Sequence, residues 1–118
     1  MVEALLVQLL NSSPAVTGEG LEAFMDVPAE RPIRFVTVER TGGPRDLVRD
    51  LPLIAVQVWA ETRYEASRLA ELVAEEIRAF IAHPRIGRIR VVSVHNFPDL
   101  EGPGRPRYQI AIELVTVK

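Results

Sequence analysis

Residues 53–81, LIAVQVWAETRYEASRLAELVAEEIRAFI, decide the fold, because their hydrophobic period changes once and at a marked point. Ile54, Val56 and Val58 alternate with Leu53, Ala55 and Trp59, so residues 53–60 read as a strand that is apolar on both faces and covered on both sides. Thr62 is followed three residues later by Glu65, the spacing of a capping box, and the helix is predicted to begin there. Ala66, Leu69, Ala70, Val73, Ile77, Phe80 and Ile81 then recur at intervals of three and four, tracing one stripe that ends near His83-Pro84. The other face carries Glu65, Arg68, Glu71, Glu75 and Arg78, several of them at pairing distance.

Before this segment, residues 33–41 alternate as a strand, with Val36 and Val38 on one face and Ile33, Phe35 and Thr37 on the other; Gly42-Gly43-Pro44 ends it. Residues 45–50, RDLVRD, form a charged excursion longer than a tight hairpin needs, predicted to project from the sheet. Residues 89–97 and 108–117 read as two more strands, joined by the Pro/Gly-rich stretch 98–106, most simply as a hairpin. At the N-terminus, residues 1–10 (MVEALLVQLL) carry Glu3 and no basic residue, which favours a short helix over a signal peptide, and Pro14 ends it by pushing Ser13 out of helical geometry. Residues 15–32 are rich in breakers, with room for a short strand.

The predicted order is α-β-β-α-β-β. It gives an α+β domain spanning residues 1–118: an antiparallel sheet of about four strands with the long helix and the short N-terminal helix on one face. Val36, Val38, Trp59, Ile110, Ile112 and Leu114 exceed what one covering helix needs, so the second sheet face is expected to keep apolar surface for a partner subunit.

Composition narrows the chemistry. At 118 residues and 47% hydrophobic content the chain supports one core without a metal or disulfide. The absence of cysteine excludes thiolate nucleophiles and cysteine-ligated zinc, and a net charge of -2 gives no general attraction to nucleic acid or anionic membrane. His83, at the helix end, suits a capping role, and His95, Asp99 and Glu101 match no standard metal spacing. Gly42-Gly43 and residues 101–104 (EGPG) are not followed by helices, so they read as turns rather than phosphate cradles; none of the serines sits in a nucleophile elbow. No catalytic, cofactor-binding or metal-ligating residue is therefore expected, and no cofactor. Arginines cluster at Arg40, Arg45 and Arg49 and again at Arg85, Arg88 and Arg90, without the interleaved aromatics of a stacking platform. Arginine is favoured at protein interfaces, so Arg40, Arg45 and Arg49, with Trp59 on the second sheet face, are the candidate contacts to a neighbouring subunit.

Three stretches, residues 34–43 (RFVTVERTGG), 53–73 (LIAVQVWAETRYEASRLAELV) and 106–115 (PRYQIAIELV), resemble in sequence and in order the tail terminator, or tail-completion, family of long-tailed bacteriophages and prophages. The likeness covers most of the chain from residue 31 onward. It implies a structural virion protein without an active site: a homo-oligomer, in that family a hexameric ring, that caps the finished tube of major tail protein. The ring stops tail polymerisation, presents a surface to the head-completion protein, and lets DNA pass without sequence-specific binding. The implied location is the head-proximal end of the tail, reached from the host cytoplasm during assembly, with no membrane involved. The residues taken alone leave a rival open, a small ligand-binding or regulatory α+β domain that dimerises through its sheet.

Overall fold

The computed structural model describes residues 1–44, 49–101 and 104–117. The elements are α1 (Val2–Asn11), α2 (Pro14–Thr17), β1 (Ala23–Phe24), β2 (Phe35–Gly42), β3 (Arg49–Asp50), β4 (Leu53–Trp59), α3 (Arg63–Ala79), a 3-10 turn (Phe80–Ala82), β5 (Ile86–Asn96) and β6 (Arg107–Val117). β2, β4, β6 and β5 pair antiparallel in that spatial order, with β5 and β6 forming the expected hairpin. The α+β class holds, and two details differ from the four-stranded antiparallel expectation.

First, β1 adds a parallel rung to β2, Ala23 opposite Val36 and Phe24 opposite Thr37, which makes the sheet mixed. Two residues are too few to display a period of two, so sequence alone could allow for this strand but not pair it. The amide of Asn11 pairs with both backbone groups of Ala23, accepting from its N–H (2.8 Å) and donating to its carbonyl (3.0 Å), and so substitutes for a further strand at this edge. Second, Arg49 and Asp50 belong to the sheet rather than to a loop. β3 pairs Arg49 with Val117 and Asp50 with Thr116, the carbonyl of Pro52 accepts from the N–H of Leu114 (3.1 Å), and β4 resumes with Leu53 opposite Glu113. β3 and β4 are thus two pieces of one strand along β6, broken at Leu51-Pro52, where proline has no N–H to offer the ladder. Counted this way the sheet has five strands.

The helices cover one face. Val36, Val38, Ile54, Val56, Val58, Ile110, Ile112 and Leu114 form a single core with Val2, Leu6 and Leu10 of α1 and with Ala66, Leu69, Ala70, Val73, Ala74 and Ile77 of α3. α1 covers the β1–β2 side while α3 lies over β4, β5 and β6. The expectation of surplus apolar residues on the second face is therefore corrected. All of those residues except Trp59 point towards the helices, because α1 covers the part of the sheet that α3 does not reach.

Local signals explain the ends of the helices. Thr62 accepts from the N–H of Glu65 (3.1 Å) as the capping spacing predicts, while the Glu65 carboxylate accepts from Arg34 and Arg68. At the other end the chain tightens into the 3-10 turn, which takes Ile81 off the buried stripe and leaves it 49% exposed. His83 acts on the next turn rather than on the helix: its Nδ1 accepts from the N–H of Arg85 (3.1 Å). Ser13-Pro14, read as a stop, also starts α2, with proline in the first helical turn.

Candidate interaction surface

The sheet face turned away from the helices is built as successive rungs across β2, β4, β6 and β5, fixed by the strand register. The first rung aligns Phe35, Trp59 and Arg107, and Phe97 follows where its N–H donates to the Arg107 carbonyl (2.9 Å). Phe35 and Trp59 stack at 4.4 Å between centroids with planes 10° apart. The Arg107 guanidinium lies over both Trp59 (5.2 Å) and Phe97 (4.6 Å) while its Nε donates to the Phe97 carbonyl (2.7 Å); Arg105 sits over Phe35 at 5.6 Å. Sequence reading missed this interleaving of arginine with aromatics. Arg105 and Arg107 stand two residues apart, but their partners come from three other segments, and only the register brings them together.

The second rung is polar. Thr37 donates to Gln57 (3.4 Å), Gln57 donates to Gln109 (3.0 Å), and His95 follows opposite Gln109. Glu39, Ala55, Ala111 and Ser93 make the third rung. At the far end Leu53, Glu113 and Arg90 come into line beside Val115 and Arg88. There a cleft of about 450 Å³ opens, floored by Leu51, Leu53 and Val115 and flanked by Arg88 and Arg90.

A charge network joins the first loop to the start of α3. Arg34 donates to Glu61 (Nε to Oε2, 3.0 Å), to Glu65 (3.2 Å) and to the carbonyl of Glu19 (3.0 Å), while Arg68 bridges Glu19 (3.0 Å) and Glu65 (2.7 Å). The hydrogen bond from Arg34, followed by one from its own backbone, lowers the Glu61 carboxyl from its usual 4.5 to about 2. The hydrogen bond from Arg68 lowers Glu19, and those from Glu19 and Glu65 raise Arg68.

Of the four candidate contact residues, the two whose side chains are described, Arg40 and Trp59, do not form one free patch. Arg40 is held inside the chain: Nη1 donates to Asp50 (2.7 Å), Nε to the carbonyl of Gly42 (3.0 Å) and Nη2 to that of Gly43 (2.9 Å), and its backbone N–H donates to Glu3 of α1 (3.1 Å). It braces the end of β2 where the register slips between Arg40 and Gly42. Trp59 lies on the second face as expected but is 1% exposed under Arg107, and its indole N–H has no partner among the described residues. Arg49 is located by its backbone in β3; its side chain and residues 45–48, the part of the loop expected to project, lie outside the described residues.

His95, Asp99 and Glu101 do not converge as ligands. The His95 ring contacts Phe97 and the Ser93 hydroxyl, whereas Asp99 accepts from Arg31 (3.0 Å) and from the N–H of Glu101 (3.0 Å), contacts that lower its carboxyl, the backbone N–H more than Arg31. Among the described residues no three acidic or histidine side chains are grouped to hold a metal ion, and no helix is long and apolar enough to cross a membrane. A scan of protein-family models finds none that matches this chain, and a search of curated proteins finds no significant match.

Proposed function

We propose that this chain is a structural subunit of a phage-type tail, a terminator that forms a six-membered ring on the finished tube, ends its polymerisation and offers a joining surface to the head-completion protein. One observation carries the reading. The three stretches that resemble the terminator family, the last of them more than 30 residues beyond the second, fold into β2, β4 with the first part of α3, and β6, which are neighbours in the sheet together with the helix over it. The likeness therefore follows one contiguous structural unit rather than scattered segments. The same reading gives the subunit major tail protein as its partner and a DNA passage without sequence recognition.

The rival, a regulatory domain dimerising through its sheet, is less well supported, because the exposed sheet face is ruled by hydrogen-bonded amides and arginines rather than by the apolar centre of a sheet-to-sheet interface. Native mass spectrometry at rising concentration, with electron microscopy of tail tubes supplied with the protein, tests the proposal. The expected outcome is a closed ring and tubes capped at one end. A stable dimer with no higher species, even with tubes present, would sink it.

A further inference from the structure

The β5–β6 hairpin carries complementary features at its two ends. At the turn end, Asp99 and Arg105 exchange backbone hydrogen bonds (3.1 and 2.9 Å), Arg31 holds the Asp99 carboxylate, and the N–H of Glu101 closes onto it. This bracing holds Leu100 outward at 84% exposure, the highest among the described large hydrophobic side chains, with Glu101 exposed beside it. At the opposite end lies the cleft floored by Leu51, Leu53 and Val115, where Leu53 is 42% exposed and Arg88 and Arg90 stand at the rim. Glu113 lies 3.6 Å from Arg90, in a pair whose side chains are 63% and 46% exposed.

We infer that these two surfaces meet between copies of this chain: Leu100 of one copy enters the Leu51–Leu53–Val115 cleft of the next, and Glu101 faces Arg88 and Arg90. Shape and charge both favour a second copy as the occupant. An apolar side chain with an adjacent carboxylate matches an apolar floor lined also by Arg88, Arg90 and Glu113, two cations to one carboxylate, and every copy offers one of each. A copy cannot satisfy itself, because about nine residues of extended strand at ~3.3 Å each, roughly 30 Å, separate the tip from its own cleft. The contact joins two different patches and is therefore head-to-tail, the type that closes into a ring or runs on as a filament. Leucine burial supplies the attraction; the exposed charges chiefly set register and steer the encounter. This deepens the ring reading and rests on it for closure, while the contact itself is read from the two surfaces.

The chain has no cysteine, so single thiols report the contact cleanly. Mixing Leu100→Cys with Leu53→Cys under mild oxidation should give a mixed disulfide dimer, and a chain carrying both should give a ladder of cross-linked species. Leu100→Asp should weaken self-association by about ten- to a hundredfold, the loss of one buried leucine, and leave the melting temperature unchanged at dilutions where the wild type is monomeric, because the residue is exposed in the single chain. Arg88→Glu and Glu101→Arg should each weaken association, and together restore it. A monomer at every concentration, cross-links only between like positions, or association indifferent to Leu100→Asp would overturn the contact. Indifference in a protein that still caps tubes would leave the terminator reading standing. Head-to-tail cross-linking in a protein that ignores tail tubes would keep the contact and remove that reading.

Discussion

At the scale of single residues, the structure converts charges and glycines into specific expectations. Glu61 is held at about 2, against its usual 4.5, chiefly by the hydrogen bond from Arg34. Its folded pKa is depressed, so the stability it contributes is fully present above about 4.5 and is lost as pH falls through about 2. Glu61→Gln should therefore separate from the wild type in denaturation at neutral pH and converge with it in strong acid, and Arg34→Gln should return the Glu61 carboxyl towards its usual range in an NMR titration. An unshifted carboxyl in the wild type would refute the network. Gly43 and Gly20 both adopt positive φ, 98° and 76°, but in different surroundings. A Cβ on Gly43 would stand 2.1 Å from the Leu51 carbonyl, whereas one on Gly20 meets nothing within 4 Å. Gly20→Ala should cost only the left-handed strain, about 1–2 kcal/mol, and Gly43→Ala distinctly more. Denaturant midpoints measure both, and equal losses would show that the turn around Gly43 can relax.

Among the elements, α3 gives the sharpest contrast. Ile77 is fully buried against the sheet, while Ile81, four residues on and in phase with the same stripe by sequence, is 49% exposed because the last turn tightens. Ile77→Ala should cost about 2–5 kcal/mol through lost burial and the cavity left behind, and Ile81→Ala within about 0.5 kcal/mol. Comparable losses at the two positions would mean that the helix keeps its α-helical pitch to its end. The β3–β4 strand makes a related point. Its charged first piece is strand because β6 runs on to Val117 and provides a partner, not because Arg49-Asp50 favours extension.

For the whole molecule, α1 is an integral wall of the core rather than an appendage. It contributes Val2, Leu6 and Leu10 to the cluster, its Asn11 satisfies both backbone groups of Ala23, and its Glu3 accepts the N–H of Arg40 at the β2 irregularity. A chain lacking residues 1–11 should expose Val36 and Val38, bind a hydrophobic dye and lose its cooperative melt, followed by circular dichroism. A cooperative melt at the wild-type temperature would show that the sheet and α3 suffice. The molecule extends 44 Å along its longest axis against 28 and 25 Å across. With Leu100 and the arginine-flanked cleft at opposite ends of one hairpin, that shape suits end-to-end contacts between copies.

Elements whose signal is local are legible in the residues alone: the four main strands from alternation, α3 from its stripe and its Thr62 cap, the β5–β6 hairpin from its Pro/Gly turn, and hence the α+β class. What depends on partners distant in the chain emerges only once the elements pack. Which face Val36 and Val38 of β2 point to was settled by α1, whose contribution to the cover is invisible in the strands' own pattern. Trp59 became a buried member of a stack because Phe35 and Arg107 arrive beside it through strand register. Arg40 became a brace because Asp50, Gly42 and Gly43 converge on it. Periodicity specifies that a residue is apolar on a given side of its own element; the identity of what covers that side is fixed by how distant elements pack, and no local pattern encodes it.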